Sequence, residues 1–71
     1  MINFEERQEL MFDYVNWRGE KGSRRVIANR IYFGSTEYHK EPQWIMAAYD
    51  FEKKADREFA MKDMSNVVII D

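Results

Sequence analysis

Between Leu10 and Val15 the chain alternates residue by residue. Leu10, Phe12 and Tyr14 fall on one side of an extended backbone and Met11, Asp13 and Val15 on the other. A period of two marks a strand, because successive side chains leave a pleated backbone on opposite faces. Arg18-Gly19-Glu20-Lys21-Gly22 follows closely, a turn with two glycines able to take positive φ. A hairpin is therefore predicted, returning the chain as a second strand over residues 23–33. On that strand Ile27, Ile31 and Phe33 lie on one face, and Arg24, Val26, Ala28, Arg30 and Tyr32 on the other. Two arginines and a tyrosine are expected to share a surface.

Residues 34–42, ending at the single proline Pro42, are polar and read as the longest loop. The segment 43–50 is apolar at both parities, which suits a central strand covered on both faces or held in a subunit contact. Residues 51–56 form a charged turn, 57–61 a short strand, 62–64 a tight helical turn and 66–70 a β-branched strand. Ahead of the first strand, Asn3 is placed to cap a short helix carrying Glu5, Glu6 and Glu9, acids that favour the positive end of a helix dipole. The expected class is mainly β: a short N-terminal helix followed by five strands, in one domain over residues 1–71.

A chain this short builds a core worth only about 3–5 kcal/mol, and with no cysteine there is neither a disulfide nor a zinc–thiolate staple. Self-association is the remaining support, so a homo-oligomer, dimer or larger, is expected. The missing cysteines also exclude thiol nucleophiles and redox pairs, and they suit a reducing cytoplasm. The N-terminus is charged almost at once, and no run approaches the roughly 18–20 apolar residues that span a bilayer. Neither export nor membrane insertion is expected.

Gln43-Trp44-Ile45-Met46-Ala47-Ala48-Tyr49-Asp50, followed by Arg57-Glu58-Phe59-Ala60-Met61-Lys62-Asp63-Met64, resembles the core of the WYL domain of bacterial regulators. In that family a Trp-Tyr-Leu strand ending in Ala-Tyr precedes Arg-x-Phe-x-Leu and a polar turn. Tyr14, Gly19 and Arg24-Arg25-Val26 sit where the family has its first hairpin, so the likeness runs from Phe12 to Met64. The family's tyrosine and leucine are Ile45 and Met46 here, so no role of that tyrosine carries over. Typical members are longer regulators with a helix-turn-helix segment, and this chain reads as a minimal, stand-alone version. The stretch from Phe33 to Trp44 is also similar to an FGSTE, histidine and EPQW run in a subgroup of short bacterial and phage proteins. The resemblance implies an Sm-like, five-stranded, strongly bent small barrel. It further implies ligand sensing, with nucleotides or single-stranded nucleic acid as ligands, and places Arg57 in the ligand-sensing surface.

The residues carry chemistry of their own. Residues 18–30 hold Arg18, Lys21, Arg24, Arg25 and Arg30 against one acid, Glu20, in a chain of net charge −2. Guanidinium groups form paired hydrogen bonds to phosphate and stack on rings, so Arg24 and Arg30 beside Tyr32 suit a phosphorylated ligand or a nucleic-acid backbone. The same arginines also serve simply to keep a sheet soluble or to pair with acids of a neighbouring chain. Arg57, two residues before Phe59, shares that residue's strand face. It is either paired, with Asp50 or Asp63 as partners, or left free at a rim.

His39 lies between Glu37 and Glu41 in the 34–42 loop. Three ligands on one loop with no fourth make a poor metal site, and a hydrogen-bonded loop histidine is the plainer expectation. His39-Lys40-Glu41 lacks the downstream cysteines of zinc deaminases. Ser23, Ser35 and Ser65 have no nucleophile elbow, and three scattered glycines make no phosphate-cradling loop. Trp17, Tyr38, Trp44 and Tyr49 can stack on bases, but Trp44, Tyr49 and Phe59 are assigned to core or subunit interface, because so small a domain needs its rings there.

The sequence reading is a non-catalytic, cytoplasmic, self-associating module without metal or cofactor. It binds a nucleotide or single-stranded nucleic acid through Arg24, Arg30 and Arg57, helped by Tyr32 and His39. Its rivals are a pure homo- or hetero-oligomerisation module with no small ligand, and a metal-dependent enzyme at Glu37, His39 and Glu41.

Overall fold

A computed structural model describes residues 7–70 as one five-stranded antiparallel sheet. The strands are β1 (Glu9–Val15), β2 (Lys21–Gly34), β3 (Gln43–Asp50), β4 (Ala55–Ala60) and β5 (Met64–Ile70), with a turn of 3₁₀ helix, Met61–Asp63, before the last. Hydrogen-bonded neighbours follow the order β4-β3-β2-β1-β5. Five strands at the expected places are thus present, β3 with the same bounds and the others starting up to two residues earlier.

Asn16 builds the β1–β2 turn. Its side-chain oxygen accepts the backbone N–H groups of Arg18 and Glu20, both at 2.9 Å, and Gly19 closes the turn at φ 80°. Gly22 needs no positive φ, since it already lies in β2 opposite Tyr14.

Leu10, Phe12 and Tyr14 point inward, as their alternation requires, and join Val26, Met46 and Phe59 in the core. In a flat sheet β1 and β4 would stand three strand spacings apart, about 14 Å. Instead the rings of Phe12 and Tyr14 lie 5.2 and 5.0 Å from that of Phe59, edge to face. The sheet is rolled until its inner face packs on itself. It does not close: β4 and β5 are the two edges, so the implied barrel is open along that seam. The link decides this, because the 3₁₀ turn is flanked by extended residues, Ala60 and Met64, and does not reverse the chain into a hairpin.

The expected N-terminal helix, residues 4–9 after the Asn3 cap, begins on residues 3–6, outside the described residues. Where it would continue, Arg7 has φ 52° and Glu9 already opens β1, so no α-helix occurs among the described residues. The reason lies across the sheet: Glu9 pairs with Ile27 in the ladder, and its carboxylate forms an ion pair with Arg25 at 2.6 Å. That acid serves the sheet as a counter-ion and never meets a helix dipole.

A second correction concerns β2. Ala28 stands opposite Ala48 but Arg30 opposite Ala47, so Asn29 is an extra, bulged residue. Alternation inverts there. Val26 and Ala28 are buried before the bulge, and Ile31 turns to the core after it. Arg24 therefore keeps the inner face, while Arg30 and Tyr32 lie on the outer one. The expected common face of Arg24, Arg30 and Tyr32 does not exist.

The apolar pattern of β3 is that of a strand covered on both sides, since Ile45 and Met46, on opposite faces, are both fully buried. Phe59 is a core residue. Trp44, expected in core or subunit interface, is not a core residue: it is 58% exposed and packs edge to face on the equally exposed Phe33. Among the described residues no helix is long and apolar enough to cross a membrane.

Candidate functional site

Rolling the sheet leaves a cleft of about 630 Å³ at the end where the β1–β2 turn, the 34–42 loop and the β3–β4 turn converge. Tyr14 and Phe59, both buried, form its floor. Arg24 enters from β2, where its inward position follows from pairing with Phe12. Arg57 enters from β4, two residues before Phe59 and on the same face.

The two guanidinium groups come from strands that are not neighbours, and the roll brings them to one site. Both are felt at the Tyr14 hydroxyl: burial and the charge of Asp63 push its pKa up, the net direction, while the hydrogen bond from the Ala60 amide and the charges of Arg24 and Arg57 pull it down.

The cations of the chain divide by partner. Arg25 is neutralised by Glu9, the sole ion pair among the described residues. Arg18 lies over the Trp17 ring at 5.0 Å and Arg30 over the Tyr32 ring at 4.7 Å. Arg24 and Arg57 make no ion pair among the described residues. Of the acids suggested for Arg57, buried Asp50 accepts the backbone N–H groups of Glu52 and Lys53 at 2.9 and 3.3 Å, holding the β3–β4 turn, and Asp63 forms no ion pair with it.

His39 also lines the cleft. Its loop is fixed by Thr36, whose hydroxyl accepts the backbone N–H groups of His39 and Tyr38 at 2.9 and 3.2 Å, while the Thr36 N–H donates to the His39 carbonyl at 2.8 Å. Among the described residues no three His, Asp or Glu side chains converge to hold a metal, so Glu37, His39 and Glu41 alternate in sequence without meeting in space.

Of the five residues proposed from sequence, the structure gathers Arg24, Arg57 and His39 and separates Arg30 and Tyr32. The latter pair forms its own outer-face group, in which the Tyr32 hydroxyl donates to the Glu58 carboxylate, raising the Tyr32 pKa. Trp17 and Tyr38 complete the cleft, 68% and 69% exposed. A signal for them was present: both are large rings in polar connections, where no core is available to receive them.

The cleft thus combines two guanidinium groups without an ion-pair partner among the described residues, an imidazole and two exposed rings, with Lys53, Asp56 and Glu58 also in its lining; arginines beside exposed rings suit an anion carrying a planar group. Farther along β2 a second, apolar concavity of about 570 Å³ lies among Ile31, Phe33, Trp44 and Met61. Compared with known protein families the chain matches none, and no curated protein matches it.

Proposed function

We propose that this protein is a small non-catalytic, cytoplasmic module that binds a nucleotide, free or as a unit of single-stranded nucleic acid. Arg24 and Arg57 hold the phosphate, an exposed ring of Trp17 or Tyr38 takes the face of the base, and His39 lies at the wall. The observation that carries this reading is the convergence of two arginines, from strands two apart in the sheet order, on one cleft where neither has a carboxylate partner among the described residues. Asp56 and Glu58 also line the cleft but form no ion pair with either arginine among the described residues, which leaves both guanidinium groups free to hydrogen-bond an incoming anion. The resemblance of residues 12–64 to WYL domains supports the ligand class. It also supports a regulatory use, in which the bound nucleotide is a signal.

The test is a fluorescence titration of the Trp44→Phe variant, in which Trp17 is the one remaining indole. Short oligo-dT and a panel of mono-, di- and cyclic nucleotides are added at low salt. Binding that quenches Trp17 and is lost on Arg57→Ala supports the assignment. Silence toward every nucleotide, or binding that Arg57→Ala leaves unchanged, removes it.

A further inference from the structure

We propose that the outer edge of β5 is a self-association surface, which pairs antiparallel with β5 of a second copy to give a continuous ten-stranded sheet. Among the described residues β5 hydrogen-bonds only to β1, so its other edge offers backbone N–H and C=O groups with no strand partner among them. Its two halves differ. Near its start the ladder with β1 breaks register between Met11 and Asp13, Asn66 has φ 54°, and the Asn66 amide is tied to Asp13 at 2.9 Å. A bulge of this kind turns an edge away from partners. The second half has no such protection: Val67, Val68 and Ile69 are 45%, 57% and 46% exposed. Because consecutive side chains alternate, apolar surface is open on both faces of the same edge.

Charge selects the occupant. No residue from Met64 to Ile70 is charged, whereas the opposite edge, β4, carries Asp56, Arg57 and Glu58 within six residues. Pairing β5 with itself sets Val and Ile against Val and Ile and buries no charge. Pairing it with a β4-like edge would lay three ionised side chains along an apolar strand, at a desolvation cost. A two-fold contact also closes on itself, giving a dimer and no filament. The small core provides the drive, since only ten apolar side chains are buried among the described residues and further burial adds stability. The inference does not depend on the nucleotide reading, because β5 contributes nothing to the cleft.

Sedimentation velocity across a range of concentrations tests it on the full chain. The wild type is expected at twice the 8.6 kDa chain mass. Val68→Lys, an exposed edge substitution, is expected to halve that mass with an unchanged far-ultraviolet circular dichroism spectrum. A separate measurement covers the case in which Val68→Lys disturbs folding. Val68→Cys introduces the chain's first cysteine, and a short bismaleimide should convert most of it to a covalent dimer, while Ala55→Cys on the β4 edge stays monomeric. A monomeric wild type, a Val68→Lys dimer, or cross-linking of Ala55→Cys at least equal to that of Val68→Cys overturns the proposal.

Discussion

The Tyr14 hydroxyl accepts the backbone N–H of Ala60 at 3.0 Å, although their strands are separated in the sheet by two others. Tyr14 is 5% exposed and Ala60 fully buried, so the amide depends on a side chain in place of a strand partner. In this open, rolled sheet the bond does at one point what a β4–β5 ladder would do along a whole seam.

Tyr14→Phe keeps the ring against Phe59 and leaves the buried Ala60 amide unsatisfied. The expected loss is about 1–3 kcal/mol, the usual cost of an orphaned buried donor. Chemical denaturation measures it. An unchanged midpoint would mean that the amide finds another acceptor and that ring packing alone holds the roll.

The arginines should separate by face. Each phosphate contact with a single strand contributes about 0.7 to the slope of log affinity against log salt. Arg24→Ala and Arg57→Ala are each expected to weaken oligo-dT binding and to flatten that slope by about this amount. Arg30→Ala, on the outer face beyond the Asn29 bulge, should change neither affinity nor slope. An equal loss with Arg30→Ala would relocate the site to the outer face.

Acid should act through Asp13. Its carboxylate accepts the Asn66 amide at 2.9 Å and the Ser23 hydroxyl at 3.2 Å, which hold its pKa below the ordinary value, with Lys21 adding to the effect. The folded pKa is the lower one, so this contribution is complete above the unfolded carboxylate value of about 4 and is lost as pH falls through the folded value. Asp13→Asn should flatten the acid limb of the stability curve. In Asn66→Ala, an NMR titration of the Asp13 carboxyl should move toward the ordinary value.

Lys54 sits in the β3–β4 turn at φ 54°, where its N–H reaches the Asp50 carbonyl at 2.8 Å. A residue with a Cβ pays about 1–2 kcal/mol in this conformation and glycine does not, although glycine loses more chain entropy on folding. Lys54→Gly is therefore expected to stabilise the protein by up to about 1 kcal/mol. Thermal unfolding should show a rise of several degrees for a domain of this size. A lower melting temperature would mean that chain entropy outweighs the relief of strain.

Local pattern in the sequence determined the strands. Leu10, Phe12 and Tyr14 fixed the inner face of β1, the two-sided apolar run fixed β3 as covered on both faces, and the spacing of Arg57 from Phe59 put that arginine on the inner face. Each follows from the two-residue period of an extended backbone, a property of neighbours along the chain. Tertiary structure decided what depends on residues distant in sequence. The Asn29 bulge, a matter of register between β2 and β3, sent Arg24 and Arg30 to opposite faces. Glu9, a plausible helix acid by composition, was recruited by Arg25 across the β1–β2 ladder. The roll that sets Phe12 and Tyr14 on Phe59 brought Arg24 and Arg57 together and drew Trp17, Tyr38 and His39 around them. A period read along one strand carries no information on the curvature of the sheet or on bulges, because both are set by the packing of side chains between strands.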